Sequence, residues 1–154
     1  MKKILLLALL SFSSFSAALE PTVIVLSWDG MRHDFPDLDK FPALQRLENE
    51  GVRAKSLIPV YPSSTFPTHV SMATGVNPNE HGIVDNTFYD QHKGHYAYSG
   101  DANWLEAEPI WITAERQGVK VATVFWVSSD TDWQGQGDSF RRSPFDESVP
   151  EGEK

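Results

Sequence analysis

The stretch TVIVLSWDG, residues 22–30, decides the fold that we predict for this chain. Its first six residues form a continuous apolar and β-branched run, which is typical of a strand buried on both faces of a parallel sheet. Asp29 follows at the predicted C-terminal tip of this strand. Because open α/β sheets keep their ligand sites at that edge, we predict a functional role for Asp29.

Helices and strands are predicted to alternate along the rest of the chain. The patterns predict helices over residues 37–50, 68–74 and 109–117, strands over 52–60 and 119–127, and a small excursion or hairpin of 87–89 with 96–98. Residues after 128 are polar, rich in glycine and predicted to be irregular. This order predicts an α/β fold with a mostly parallel central sheet and helices on both faces.

The N-terminus has the pattern of a secretory signal peptide. Lys2 and Lys3 precede the apolar residues 4–10, and Ser16, Ala17 and Ala18 resemble a cleavage site. The apolar run is too short to span a bilayer as a helix. We therefore expect residues 1–18 to be removed, which leaves a periplasmic or secreted protein without a membrane span.

Charge and cysteine content narrow the possible functions. The formal net charge is −8, and it becomes −10 when residues 1–18, with two lysines and no acid, are removed. Such an acidic chain is not expected to bind nucleic-acid duplexes, which favour a basic face. The chain has no cysteine, so any metal ion must be held by carboxylate, imidazole or hydroxyl groups.

A second stretch, SSTFPTHVSMATGVNPNEHGIVDN at residues 63–86, carries the chemistry. Its pattern places Thr65 at or near a helix N-terminus, where free backbone N–H groups and the helix dipole favour an anion. An alcohol at Thr65 and a carboxylate at Asp29 on one edge of a sheet suggest metal-assisted phosphoryl transfer. Taken alone, each has an ordinary structural interpretation, since Asp29 could cap a turn and Thr65 could cap a helix.

The alcohol of Thr65 needs activation before it can attack phosphorus. A helix dipole contributes about 0.3–1 kcal/mol, which corresponds to roughly one pKa unit or less. Bound zinc, in contrast, lowers the pKa of water from about 15.7 to about 7. The proposed chemistry therefore requires a metal ion, and Asp29 is the nearest credible anionic ligand in the sequence.

Four ordered blocks resemble one known family. They are TVIVLSWDGMRHD at 22–34, YPSSTFPTHVSMATGVNPNEHGIVDNTFYD at 61–90, EPIWITAERQG at 108–118 and VATVFW at 121–126. Together they resemble the nucleotide pyrophosphatase/phosphodiesterase family of the alkaline phosphatase superfamily, over about residues 23–150. The resemblance implies an alkaline-phosphatase-like fold, truncated here, with residues 19–154 as the N-terminal part of a phosphodiesterase catalytic domain.

The resemblance also implies roles for individual residues. Asp29 corresponds to a ligand of one of two zinc ions, and Thr65 to the nucleophile that contacts the same zinc. Asn86 corresponds to the asparagine that hydrogen-bonds the phosphoryl oxygen. Phe66 and, loosely, Phe145 correspond to aromatic residues that clamp a nucleotide base, which favours a small nucleotide or other phosphodiester substrate. The remaining Asp and His ligands are expected beyond residue 154.

Two alternatives stay open. One is a phosphomonoesterase or sulfatase-like relative, because the superfamily shares this scaffold. The other is a catalytically inactive truncated module, so that the isolated 19–154 polypeptide is expected to show negligible hydrolysis. Several residues that look functional are interpreted as structural or left undecided: His69 and His81 as hydrogen-bonded structural residues, Asp130 and Asp132 as loop residues, and Trp104 and Trp133 as pocket or surface residues.

Overall fold

A computed structural model describes the protein at residues 21–39 and 41–143. The predicted signal peptide at residues 1–18 and the predicted clamp residue Phe145 lie outside these residues. The chain divides into two compact units, residues 1–30 and residues 31–154.

The described part of the first unit, residues 21–30, contains no regular secondary structure before a turn at 29–30. The apolar residues from Val23 to Leu26 are 69–86 % exposed. The prediction of a buried strand over 22–27 is therefore wrong for the described residues. A buried parallel strand needs hydrogen-bonded neighbours on both sides, and no described strand pairs with this segment.

Helices make up much of the second unit. The described α-helices are α1 (Phe35–Leu38), α2 (Pro42–Glu50), α3 (Thr65–Thr74), α4 (Pro78–His81) and α5 (Ile110–Arg116), and a 3₁₀ turn covers Ala102–Trp104. Within the described residues, no helix combines the length and the apolar character that crossing a membrane requires.

The predicted helix over residues 37–50 is split in two. Pro42 occupies the first turn of α2, a position that suits a residue with a fixed φ and no N–H. Gly51 follows the last helical residue, as predicted. The strand predicted next, over 52–60, is not formed, and its apolar members Val52, Leu57 and Ile58 are 75–99 % exposed.

The described strands form two two-stranded sheets. β1 (Thr87–Asp90) and β2 (Gly94–Ala97) are antiparallel, with Thr87 opposite Ala97, which confirms the predicted hairpin. β3 (Ala122–Val124) lies within the strand predicted over 119–127 and pairs in parallel with β4 (Phe140–Arg142). The prediction missed β4, because its short sequence FRR has no apolar alternation.

The core of the second unit lies among α3, β2 and α5. Its buried apolar residues are Val70, Ala73, Ile83, Tyr96, Ala102, Leu105, Trp111, Ile112 and Trp133. Trp133 belongs to this core and not to a surface or an open pocket, since it is 8 % exposed and its Nε1–H donates to the Leu105 carbonyl at 3.2 Å. Trp104 is half-buried and packs edge-on against Tyr96 at 5.1 Å.

A buried histidine joins α3 to α4. His81 is fully buried, and its Nδ1 accepts the N–H of Ile83 at 3.2 Å. Because Nδ1 accepts, Nε2 of the neutral ring carries the proton and donates to Ser71 Oγ at 2.9 Å. This arrangement confirms the interpretation of His81 as a hydrogen-bonded structural residue.

We expect acid to destabilise the fold through His81. Burial lowers the pKa of His81 below its ordinary value of 6.5, and hydrogen bonds to its own backbone and to that of Pro67, together with the charge of Glu80, only oppose this effect. A group with a lowered pKa in the folded state contributes stability above its unfolded pKa and loses it as the pH falls. The melting temperature of the wild type should therefore drop between about pH 7 and pH 5 more steeply than that of His81→Gln.

The glutamine variant should also be about 1–3 kcal/mol less stable near neutral pH, because it disrupts a buried hydrogen-bond pair. His92→Gln is the matched control, since His92 is exposed on the hairpin turn. Parallel melting curves of wild type and His81→Gln across this pH range would contradict the prediction.

Candidate functional site

The candidate site is built on the N-terminal turn of α3. The helix begins at Thr65 as predicted, with Ser64 as the N-cap residue in extended conformation. It ends at Gly75, whose φ of +73° is left-handed and whose N–H donates to the Ser71 carbonyl. A left-handed residue after a helix is usually glycine, because other side chains are strained there.

The backbone donors at this helix start are largely used within the protein. The N–H of Phe66 donates to Asn86 Oδ1 at 2.9 Å. Pro67 has no N–H, and the Thr68 N–H already donates to the Ser64 carbonyl at 3.2 Å. The predicted set of free N–H groups for an anion is therefore reduced, because a side chain from another segment caps the helix.

This capping fixes the orientation of Asn86. Its Oδ1 is engaged by Phe66, and its backbone carbonyl accepts the N–H of Tyr98 at 2.9 Å. Nδ2 is thus the group of Asn86 that can donate to a bound molecule. The structure brings Asn86 to the helix turn that carries Thr65, although the two residues are 21 positions apart in the sequence.

Asp85 also belongs to this arrangement, although the sequence motifs did not predict a role for it. Asp85 Oδ1 accepts the Ser64 hydroxyl at 2.9 Å and the Asn86 N–H at 2.7 Å. Pro67, the third residue of the helix, was a signal in the sequence that the Ser64 hydroxyl needs a partner elsewhere. An N-cap hydroxyl usually accepts an N–H from the second or third helical residue, so Pro67 removes one of the usual partners of Ser64.

Aromatic rings surround the side chain of Phe66. It is half-buried and meets Tyr98 edge-on at 5.4 Å and Tyr96 at 6.1 Å. Tyr96 is fully buried, its hydroxyl donates to the Ser99 carbonyl at 3.0 Å, and burial raises its pKa. Phe66 is therefore fixed next to Thr65, and its predicted contact with a nucleotide base stays a prediction.

His69 lies one turn into α3 and makes structural contacts, as predicted. Its Nδ1 lies 2.8 Å from the Thr65 carbonyl, so Nδ1–H donates to that oxygen. The indole N–H of Trp126 donates to the His69 carbonyl at 3.3 Å, and the two rings meet edge-on at 5.7 Å. These contacts attach the first turn of α3 to the residues that follow β3.

The predicted metal ligand Asp29 belongs to the first unit. It lies exposed in the turn at 29–30, where Gly30 has a φ of +68°. Asp29 and Thr65 belong to different units. That they share one metal ion therefore stays a prediction.

Residues 21–39 and 41–143 contain no group of three or more His, Asp or Glu side chains that could hold a metal ion. Two aspartates that could resemble a metal pair are in a loop, as interpreted. Asp132 Oδ1 accepts a hydrogen bond from Arg141 Nη2 at 2.8 Å. The Asp130 N–H donates to the Gly100 carbonyl at 2.9 Å.

Comparison with known proteins agrees with the resemblance seen in the sequence. The sequence model of the type I phosphodiesterase/nucleotide pyrophosphatase family matches residues 23–154. Human ectonucleotide pyrophosphatase/phosphodiesterase family member 1 is 37 % identical over 123 residues, which are 75 % of this chain and 13 % of the relative. The bis(5'-adenosyl)-triphosphatase of Xenopus laevis is 37 % identical over 113 residues, which are 71 % of this chain and 25 % of that protein.

A solved structure extends the comparison to the fold. It is murine ectonucleotide pyrophosphatase/phosphodiesterase 5, as an inactive threonine-to-alanine variant in complex with AMP. The TM-score is 0.71 and the identity 27 %, over 80 % of this chain and 34 % of the other. The likeness confirms the predicted α/β fold class, and the chain spans about a third of that structure's length.

Proposed function

Because the chain belongs to the type I phosphodiesterase/nucleotide pyrophosphatase family, we propose that the protein hydrolyses phosphodiester or pyrophosphate bonds of small nucleotides, with Thr65 as the nucleophile. The observation that carries the proposal is the hydrogen bond between Asn86 Oδ1 and the Phe66 N–H at 2.9 Å. It attaches the residue that carries the amide donor to the helix turn that bears the Thr65 hydroxyl, which supports the proposal that one phosphoryl group contacts both.

The described residues have distinct parts in the proposed reaction. Thr65 Oγ1 gives up its proton to solvent and forms a bond to phosphorus, while the bond from phosphorus to the leaving oxygen breaks and the leaving group takes its electron pair. Asn86 Nδ2 donates to a non-bridging phosphoryl oxygen, where negative charge is to be stabilised. Water then attacks phosphorus and releases the Thr65 hydroxyl, which restores the enzyme.

The proposal includes zinc, with two ions in the complete enzyme and with Asp29 and Thr65 as ligands of one of them. Bound zinc would supply the electrostatic stabilisation that favours the deprotonated hydroxyl. We propose that the remaining ligands lie outside the described residues, which contain no three-ligand group.

Nucleotides are the proposed substrates for two reasons. Phe66 follows the nucleophile and is fixed edge-on by Tyr98 at 5.4 Å, so its ring can stack on a base. The relatives are named as nucleotide pyrophosphatases and a bis(5'-adenosyl)-triphosphatase, and the murine structure contains AMP. Phe145 stays proposed as a second clamp residue.

The signal-peptide pattern of residues 1–18 supports export to the periplasm or the medium.

The absence of a three-ligand group within the described residues favours a second candidate for this stretch alone, namely a module that is inactive without further ligands. The full-length protein and the 19–154 polypeptide should therefore behave differently. With added zinc, the polypeptide should show negligible hydrolysis of a nitrophenyl nucleotide diester. Metal-dependent turnover by the polypeptide would contradict this expectation.

Two chromogenic substrates test the proposed reaction class. The full-length protein should hydrolyse the nitrophenyl ester of a nucleoside monophosphate at least about tenfold faster, in kcat/KM, than nitrophenyl phosphate. The active site of a diesterase binds both ester substituents of a phosphodiester. A phosphomonoester has only one such substituent, so it makes fewer contacts with the enzyme. A preference for the monoester would favour the phosphomonoesterase alternative, and hydrolysis of neither ester would refute the proposed function.

A further inference from the structure

We propose that Asp85 is a positioning residue, which fixes the Thr65 hydroxyl and the Asn86 amide relative to each other. This inference rests on the proposed function, because it concerns the geometry of the same site. Asp85 is exposed and contacts no reacting atom in the proposed mechanism. It acts through Ser64 and Asn86, the two residues that donate to it.

A closed chain of hydrogen bonds carries the inference. Ser64 Oγ donates to Asp85 Oδ1 at 2.9 Å, and the N–H of the next residue, Asn86, donates to the same oxygen at 2.7 Å. Asn86 Oδ1 in turn accepts the Phe66 N–H at 2.9 Å. These three hydrogen bonds lead from Ser64 through Asp85 and Asn86 to Phe66. Thr65 lies between Ser64 and Phe66 in the sequence.

The two residues that flank Thr65 in the sequence are therefore both held by hydrogen bonds. Ser64 is attached through its side chain, and Phe66 through its N–H, to two consecutive residues of one loop. The same contacts set where Asn86 Nδ2 lies, because the Asn86 N–H and Oδ1 are both engaged. Removing the Asp85 carboxylate would release Ser64 and the Asn86 backbone together, while the bond between Phe66 and Asn86 could persist.

Both donors to Asp85 are neutral groups, a hydroxyl and a backbone N–H. The arrangement therefore needs an acceptor oxygen at this position more than it needs a negative charge. An asparagine carries such an oxygen on a side chain of the same shape. Asp85→Asn should restore most of what Asp85→Ala loses, which separates the role of geometry from the role of charge.

The test compares Asp85→Ala, Asp85→Asn and Ser64→Ala in the full-length enzyme, with a nitrophenyl nucleotide diester as the substrate. Asp85→Ala should lower kcat about 10- to 100-fold with a KM within about threefold of wild type, because misplacing reacting groups affects the transition state more than substrate binding. Asp85→Asn should stay within about threefold in kcat. Ser64→Ala should lower kcat in the wild type but add little in the Asp85→Ala background, since Asp85→Ala already removes the hydrogen bond that Ser64 donates.

Asp90→Ala is the matched control, because Asp90 Oδ1 also accepts two backbone N–H groups, those of His92 and Lys93, each at 2.7 Å. These bonds lie at the turn of the hairpin, four residues beyond Asn86, and the variant should keep the wild-type kcat.

Amide hydrogen exchange gives a second readout that needs no activity. Exchange at Asn86 should accelerate in Asp85→Ala and remain slow in Asp85→Asn.

The outcomes separate this inference from the proposed function. A wild-type kcat in Asp85→Ala, or equal losses in the Asn and Ala variants, would overturn the role of Asp85 while leaving Thr65 as the nucleophile. Full activity of Thr65→Ala would instead refute the proposed function. If Asp85→Ala does not fold, Ser64→Ala decides, because an unchanged kcat in that variant contradicts the inference equally.

Discussion

Thr65→Ala is expected to abolish phosphodiesterase activity in the full-length protein, with a loss in kcat of at least about 10³-fold. The methyl group of alanine cannot form a bond to phosphorus, so only water could attack. A loss of this size corresponds to about 4 kcal/mol of transition-state stabilisation. Steady-state hydrolysis of a nitrophenyl nucleotide diester measures it directly.

Binding should survive this substitution. The substitution removes only the proposed reacting hydroxyl and leaves Phe66 and the Asn86 amide in place, so the variant should still bind AMP. Calorimetric titration should give Kd values for AMP within about tenfold in wild type and variant, a difference of at most about 1.4 kcal/mol. Thr65→Ser is the matched control, because it keeps a hydroxyl group and should retain measurable activity. Full activity of Thr65→Ala would remove this residue from the mechanism.

Asn86 variants are expected to show the second-largest loss, about 10²–10³-fold in kcat. Asn86→Ala removes both the Nδ2 donor and the Oδ1 acceptor that caps Phe66. Asn86→Asp keeps an oxygen for the Phe66 N–H but replaces the amide donor with a second acceptor. Since the proposed role of Asn86 is to donate to a phosphoryl oxygen, both variants should lose activity to a similar degree.

Stability should separate the two Asn86 variants. Losing a helix cap costs about 0.5–2 kcal/mol, so Asn86→Ala should melt at a lower temperature than the wild type. Asn86→Asp should melt at or above the temperature of Asn86→Ala, because the cap remains and a negative charge at a helix N-terminus is favourable. Near-wild-type kcat in Asn86→Asp would contradict the proposed donor role. Activity losses that follow the melting temperatures would show that Asn86 acts only on the fold.

Local patterns predicted the elements whose stability depends on nearby residues. The end of α3 before Gly75 follows from the left-handed cap at Gly75, whose N–H donates to the Ser71 carbonyl. The hairpin of β1 and β2 follows from two short runs joined by a polar turn that contains Gly94. In each case the residues that form the contacts lie within a few positions of one another.

Predictions failed where an element depends on distant partners. The apolar runs 22–27 and 52–60 have the composition of buried strands, but no described strand pairs with them and they are exposed. A strand is stable only when its backbone groups pair with a neighbour, and composition does not specify that neighbour. Trp133 was undecided for a related reason, since its contact with Leu105 spans 28 positions.

The sequence by itself determined the family and the α/β class, because ordered motifs carry that information. It predicts Thr65 and Asn86 as site residues, but not the hydrogen bonds that connect their segments. Only the tertiary structure decided that Asn86 caps the helix at Phe66 and that Asp85 binds both Ser64 and Asn86. These hydrogen bonds depend on how a loop packs against a helix some 20 residues earlier, and such packing is a property of the folded chain as a whole.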